Sequence, residues 1–202
     1  MSDISVESPE RPLRADARRN RALILQSARE VFAADGAEAQ MDDVALRAGV
    51  GVGTLYRHFP TKEALLLELV RDKLRSFAEN VAEALEQQGD PGEIFQAVLY
   101  RNAEVASRDA VMQQVLAGAG DQLWSAALAE RERLGALTAE LLGRAQRVNA
   151  VRGDVQASDI AMLMCGLCAT MAHGGPDFDW RRHLALLLDG LATREAMVPP
   201  GR

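Results

Sequence analysis

Between Gly49 and Lys62 the chain reads Gly-Val-Gly-Val-Gly-Thr-Leu-Tyr-Arg-His-Phe-Pro-Thr-Lys. Hydroxyl, phenol, guanidinium, imidazole and ammonium groups stand here around a short apolar spine, and all of them can donate hydrogen bonds to phosphate oxygens. Neither here nor elsewhere are a nucleophile, a base and an orienting group spaced as in a known catalytic motif, and no glycine loop is built to cradle a nucleotide phosphate. No enzyme activity and no cofactor are expected. On a helix, Leu55 and Phe59 lie four apart and face inward, leaving Val52, Gly53, Thr54, Arg57 and His58 at outward or end positions. A small, cationic, hydroxyl-bearing face suits a helix that enters a DNA major groove.

Three short helices must hold that face. Residues 18–34 carry Ile24, Ala28, Val31 and Phe32 at helical spacing, and Asp35-Gly36 ends the run. Residues 41–48 follow with Val44, Ala45 and Ala48 on one side. Gly49 supplies a permissive turn position and Val50 an apolar peg, so 41–48 and 52–59 read as a helix-turn-helix. Pro60 stops the third helix, and Thr61 is placed to cap a fourth that starts at Lys62 and Glu63.

The 202 residues, 48% of them hydrophobic, hold ample material for a core. The net charge of −6 averages two unlike parts: Arg11 to Lys62 holds nine basic and six acidic residues, and the chain beyond Lys62 fourteen and twenty. Positive charge therefore gathers beside the motif. Arg14, Arg18, Arg19 and Arg21 are its densest cluster, open to two readings: a phosphate-facing patch or a solvated helix entrance. Residues 1–13 lack apolar periodicity and read as a disordered arm. No apolar run approaches a membrane span, the first residues do not resemble a signal peptide, and two cysteines fit a reducing compartment, so the expected location is cytoplasmic.

Residues 19–70 resemble the DNA-binding domain of the tetracycline-repressor (TetR/AcrR) family of transcriptional regulators. The resemblance rests on Ala28, Phe32 and Gly36, on Val44-Ala45 and Ala48-Gly49-Val50, on Gly53-Thr54-Leu55-Tyr56 and His58-Phe59, and on Lys62-Glu63-Ala64-Leu65. It implies that Tyr56, His58 and Lys62 contact phosphates and that Val52, Gly53, Thr54 and Arg57 face base edges or the adjacent backbone; Arg19, from the basic cluster ahead of the first helix, is the further candidate for DNA contact. Arg57 is the candidate for bidentate guanine readout, with a phosphate as the alternative. Two positions depart from the family pattern: Gln40 and Gly51 stand where a threonine or serine usually caps the second and third helices.

The expected fold class is all-α, about nine helices in total: an arm over 1–13, a three-helix helix-turn-helix domain over 14–62, and a larger effector-binding and dimerisation domain over 63–202. The stripe Leu66, Val70, Leu74, Phe77, Val81 and Leu85 carries the fourth helix to about Gln87. Asp90-Pro91 opens a helix to about Ser107, Asp109 a short one through Leu116, and a single long helix is expected from Asp121 to Asn149. The helices at about 158–173 and 179–194 are apolar over much of their circumference. They could pair with a second copy or form an internal core; the resemblance favours a homodimer that reads a palindromic operator in double-stranded DNA.

The resemblance also implies a pocket for a small-molecule effector, with Phe95, Asn102, Met112, Leu116, Trp124, Met164, Cys168 and Met171 as candidate lining. The dominance of Met and Leu suggests an apolar, adaptable site without strong charge selectivity. Cys165 and Cys168 lack a second pair and flanking basic residues, so they read as small hydrophobes rather than as a metal or redox site. The function expected is a repressor released from its operator by an apolar effector. The competing class is a helical interaction protein or ligand carrier that does not use the domain on DNA.

Overall fold

The structure, a computed structural model, describes residues 10–109, 120–174 and 178–193. Among the described residues it shows nine α-helices and, beyond them, a short 3-10 turn at Gly36–Glu38 and one isolated bridge between Val151 and Ala192. The chain divides into two compact units, Met1–Leu66 and Leu67–Arg202. Their boundary falls inside the fourth helix, a few residues past the division at 62–63 read from sequence.

In the first unit, α1 (Glu10–Asp35), α2 (Met41–Ala48) and α3 (Val52–His58) precede the start of α4 (Lys62–Leu85). Helix α1 begins well before Arg18, so residues 10–13, assigned by sequence to a disordered arm, are helical. Its stripe behaves as expected: Ile24, Ala28 and Phe32 are buried with Val44 and Ala45 of α2 and Leu55 of α3. Burying each large apolar side chain contributes about 1.5–3 kcal/mol. Helix α2 ends on Gly49 at φ 65°, ψ 30°. The Gly49 N–H donates to the Leu46 carbonyl at 3.2 Å and the Val50 N–H to the Ala45 carbonyl at 3.1 Å. This is the double bond pattern of a Schellman close, which requires a left-handed residue at that position. Thr61 caps α4 as expected, its Oγ1 accepting from the Ala64 N–H at 3.1 Å.

The second unit takes the rest of α4 and adds α5 (Pro91–Ser107), α6 (Gly120–Ala126), α7 (Leu128–Arg147), α8 (Ala157–His173) and α9 (Trp180–Leu191). Asp90 opens α5, its Oδ1 accepting from the Gly92 and Glu93 N–H groups, each at 2.9 Å. Val81, Phe95, Leu99, Leu141, Ile160, Leu167 and Leu184 meet in one core drawn from five helices. The turn after α7 places Asn149 at φ 57°, and the Gln146 side chain ties α7 to the connection into α8 by donating to the Arg152 and Val155 carbonyls at 2.9 Å each.

The single helix expected from Asp121 to Asn149 is two helices, broken at Ala127. The break frees carbonyls that a continuous helix would use, and two arginines satisfy them. Arg71 donates to the Ala126 carbonyl at 2.9 Å and Arg131 to the Trp124 carbonyl at 3.4 Å. Ala127 is fully buried, so a small side chain lets the corner pack closely. The expected helix from Asp109 through Leu116 lies outside the described residues from 110 onward.

Candidate nucleic-acid interface and cavity

Helix α3 presents the face that the sequence assigned to DNA. Val52 and Tyr56 are 43% and 44% exposed, Gly53 and Arg57 are exposed, and Thr54 and His58 are half-buried. Leu55 and Phe59 anchor the other side of the helix in the core. Gly51 is the N-cap in extended backbone at φ −66°, ψ 142°, with no side chain to accept a hydrogen bond; its carbonyl accepts instead from the Thr54 and Leu55 N–H groups at 2.8 and 3.1 Å. Gln40 likewise contributes no side-chain cap to α2, its Nε2 donating to the Glu38 carbonyl at 2.6 Å.

The cations around this face divide into those held by the fold and those that project from it. Arg57 donates through Nε to the Gly53 carbonyl at 3.1 Å, which steadies its exposed side chain along α3. Arg18 and Arg19 are exposed on α1. Arg21 stands over the Phe59 ring at 5.3 Å, and Arg47 bridges α2 to α1 through Glu30 at 2.6 Å. Lys62 sits half-buried over the Phe32 ring at 5.4 Å and donates to the Ala39 carbonyl at 2.7 Å, so it pins the α1–α2 connection whatever it also offers to a phosphate. The Glu63 carboxyl at the start of α4 is held below the usual carboxylate range by its own backbone N–H and then by the Thr61 hydroxyl. Sequence reasoning passed over Leu46, which is 82% exposed on α2. Its signal is an apolar residue lying off the Val44, Ala45 and Ala48 stripe.

The second unit holds a cavity of about 450 Å³ walled by α4, α5, α6, α7 and α8, which opens to solvent beside the exposed Leu128 and Met162. Five of the expected lining residues border it: Phe95, Asn102, Trp124, Met164 and Cys168. Met112 and Leu116 lie outside the described residues. Met171 is a correction: it is half-buried against the apolar core around Leu167 and does not border the cavity. Asn102, 7% exposed, is held by Asn80, whose Nδ2 donates to Asn102 Oδ1 at 2.7 Å. Sequence reasoning singled out Asn102 as a polar group needing a partner and did not find Asn80.

Polar wall positions missed from sequence are Arg131, Glu132, Thr138 and Ser158. Trp124, Ala127, Arg131, Leu134, Thr138 and Leu141 recur at alternating spacings of three and four, so the signal was two polar residues interrupting an apolar stripe. Both thiols border the cavity, Cys168 buried and Cys165 half-buried. Burial pushes the Cys168 thiol up to about 12, the neighbouring Cys165 and Asp109 adding to it; burial also raises Cys165, against a smaller opposing pull from the Arg131 charge. Among the described residues no group of three or more His, Cys, Asp and Glu could hold a metal ion, and no helix is long and apolar enough to cross a membrane.

Comparison with known proteins places both units. Residues 24–69 match the family model for bacterial regulatory proteins of the tetR family, and residues 90–193 match that of the transcriptional regulator SbtR-like C-terminal domain. The fatty acid metabolism regulator protein of Bacillus subtilis is 30% identical over 87 residues, which span 43% of this chain and 45% of that protein; the chain thus covers under half the length of this curated relative. A TetR transcription regulatory protein from Mycobacterium vanbaalenii is 36% identical with a TM-score of 0.64, the comparison covering 90% of this chain and all of that one. FadR of Thermus thermophilus, a TetR-family repressor solved in complex with lauroyl-CoA, is 29% identical with a TM-score of 0.62 and the same coverage. A helix-turn-helix unit matched by one family model and a C-terminal unit matched by a second, the latter alone spanning half the chain, show that this chain belongs to the TetR family of bacterial regulatory proteins.

Proposed function

We propose that this TetR-family regulator represses transcription by holding a palindromic operator as a homodimer, and lets go when an apolar, acyl-type effector fills the cavity of the C-terminal unit. The observation that carries the proposal is that cavity of about 450 Å³, within the range of small-molecule sites and carried by the same chain as an exposed helix-turn-helix face. The apolar wall formed by Phe95, Leu99, Leu134 and Met164 fits a hydrocarbon chain, and the Thermus relative solved with lauroyl-CoA supports that chemistry. A regulator acting on DNA in this way works in the cytoplasm.

Dimerisation is assigned to α8 and α9, where Met162 and Leu186 are 67% and 59% exposed. Two large apolar side chains in the open on neighbouring helices favour burial against another copy. Paired α3 helices about 34 Å apart would then read successive major grooves on one side of the duplex. On α3, Val52, Gly53, Thr54 and Arg57 are assigned to bases and the adjacent backbone, and Tyr56, His58, Lys62 and Arg19 to phosphates. The effector works only by its difference in affinity: a ligand that binds the released form about 100-fold better shifts the equilibrium by about 2.7 kcal/mol, and equal affinity shifts nothing. The test is fluorescence anisotropy on an operator isolated by selection from random DNA. Dodecanoyl-CoA should release it in a saturable manner, and an operator that stays bound at saturating ligand would refute the effector half of the proposal.

A further inference from the structure

One wall residue does not belong in an apolar pocket. Arg131 borders the cavity from the first turns of α7, and its guanidinium lies over the Trp124 ring at 5.0 Å. One Nη1 hydrogen goes to the Trp124 carbonyl at 3.4 Å. A guanidinium carries five N–H donors and no acceptor, so most of the fork is unspent. No carboxylate among the described residues stands within ion-pair distance. The adjacent acid Glu130 is already bridged by Arg75 at 3.3 Å and approached by Arg71 at 3.8 Å. Glu132, the acid that does border the cavity, is exposed and makes no ion pair with Arg131. The thiols facing the cavity stay neutral, so they supply no counter-charge.

Asn102 is a second and independent observation. It is more than nine-tenths buried, its Oδ1 is engaged by Asn80 at 2.7 Å, and its own Nδ2 makes no hydrogen bond among the described residues. Among those residues the only fully buried side-chain polar atom without a partner is Arg71 Nε, so Asn102 Nδ2 keeps access to open space, and the space it borders is this cavity. The site therefore offers a mainly apolar wall, one charged fork, the Asn102 amide as a buried neutral donor beside the Thr138 and Ser158 hydroxyls, and no anionic group that the fork already holds. A neutral hydrocarbon would leave both donors unanswered, at the cost that unpaired polar groups carry in a low-dielectric site.

We infer that the cavity is built for an amphipathic anion: its chain lies along the Phe, Leu and Met wall, its carboxylate or phosphate is held by Arg131, and Asn102 donates to an oxygen of the ligand. The inference rests on the effector reading above and adds a charge requirement to it, in place of the charge-indifferent pocket expected from composition. Carboxylates and phosphates alike take two parallel N–H bonds from a guanidinium, and the Trp124 ring at 5.0 Å supports the Arg131 guanidinium that offers them.

The experiment is calorimetric titration of the full-length protein, wild type and Arg131→Met, with dodecanol, dodecanoate and dodecanoyl-CoA at monomeric concentrations. Wild type should bind at least one of the two anions roughly tenfold or more tightly than dodecanol, as a charge-assisted contact implies. Arg131→Met should abolish that preference and leave dodecanol affinity unchanged. Dependence on Arg131 for dodecanoate assigns the anion to a carboxylate, and dependence for dodecanoyl-CoA alone assigns it to a phosphate of the thioester. If the methionine variant does not fold, the wild-type order among the three probes decides by itself. Dodecanol binding as tightly as both anions, or an anion preference that survives in Arg131→Met, overturns the inference and leaves the apolar-effector reading standing; no binding of any probe sinks both.

Discussion

Gly49→Ala and Gly53→Ala are the same change of one methyl group, four residues apart, and should move stability in opposite directions. At Gly49 the backbone is at φ 65° and an added Cβ would meet no atom within 4 Å, so its entire cost is conformational. A left-handed L-residue costs about 1–2 kcal/mol, and escaping that region would break the bonds from the Gly49 and Val50 N–H groups that close α2. Gly53 also has nothing within 4 Å of an added Cβ, but it lies inside α3 with ordinary helical backbone. There alanine should stabilise by about 0.5–1 kcal/mol, through the smaller entropy it loses on folding. For a chain of this size about 1 kcal/mol moves the melting midpoint by roughly 2–4 °C, so the two variants should melt on opposite sides of wild type. Scanning calorimetry with urea titration as a cross-check measures this. A Gly49→Ala protein as stable as wild type, or a destabilised Gly53→Ala, would refute the assignment of these backbone roles. The same pair informs on DNA: because Gly53→Ala improves the free helix, any loss of affinity it causes reports a close approach of α3 backbone to the duplex.

Arg57→Ala should lose discrimination among operator variants, whereas Lys62→Ala should weaken all DNA about equally, as binding to a panel of single-base substitutions would reveal. Equal behaviour of the two would remove the division between base and phosphate contacts. Lys62→Ala should in addition destabilise the N-terminal unit by about 1–3 kcal/mol, because the Ala39 carbonyl loses its 2.7 Å donor; an unchanged melting curve would show that contact to be dispensable. Cys168, with its thiol pushed up to about 12, should resist iodoacetamide at pH 8 in the native state and react once unfolded. The folded state keeps that proton where the unfolded thiol, near 9, has released it, so this group's contribution to stability is full below pH 9 and lost as pH rises toward 12. Rapid native-state alkylation of both thiols at pH 8 would contradict the burial described.

The three-helix unit was legible because its signals are local. The stripe through Ile24, Ala28 and Phe32, the glycine that must adopt φ > 0, Pro60 and the Thr61 cap each specify geometry within one or two turns of chain. The early start of α1 was not legible, since residues 10–17 carry no apolar stripe and their helix shows in backbone alone. The break at Ala127 was hidden for a different reason: an apolar stripe crosses it without interruption, and the group that satisfies a broken carbonyl is Arg71, which lies far away in sequence on α4. Of the cavity, the apolar residues were found by periodicity. Asn80 was not, because its role depends on the register of α4 against α5, and Met171 was misplaced because α8 buries its sides against different neighbours. Arg131 was readable in principle as a charge on an apolar stripe.

The proposed role stands or falls on whether the α3 face reads DNA sequence. That is decided by the affinity of the full-length protein for DNA from upstream of its own gene and for a scrambled duplex of equal length, each at several salt concentrations. Binding should be tighter to the upstream DNA, with a log affinity that falls linearly with log salt, as release of counterions from neutralised phosphates requires. Equal affinity for the two duplexes with no salt slope would contradict this, and would leave a helical ligand carrier that keeps a helix-turn-helix without using it.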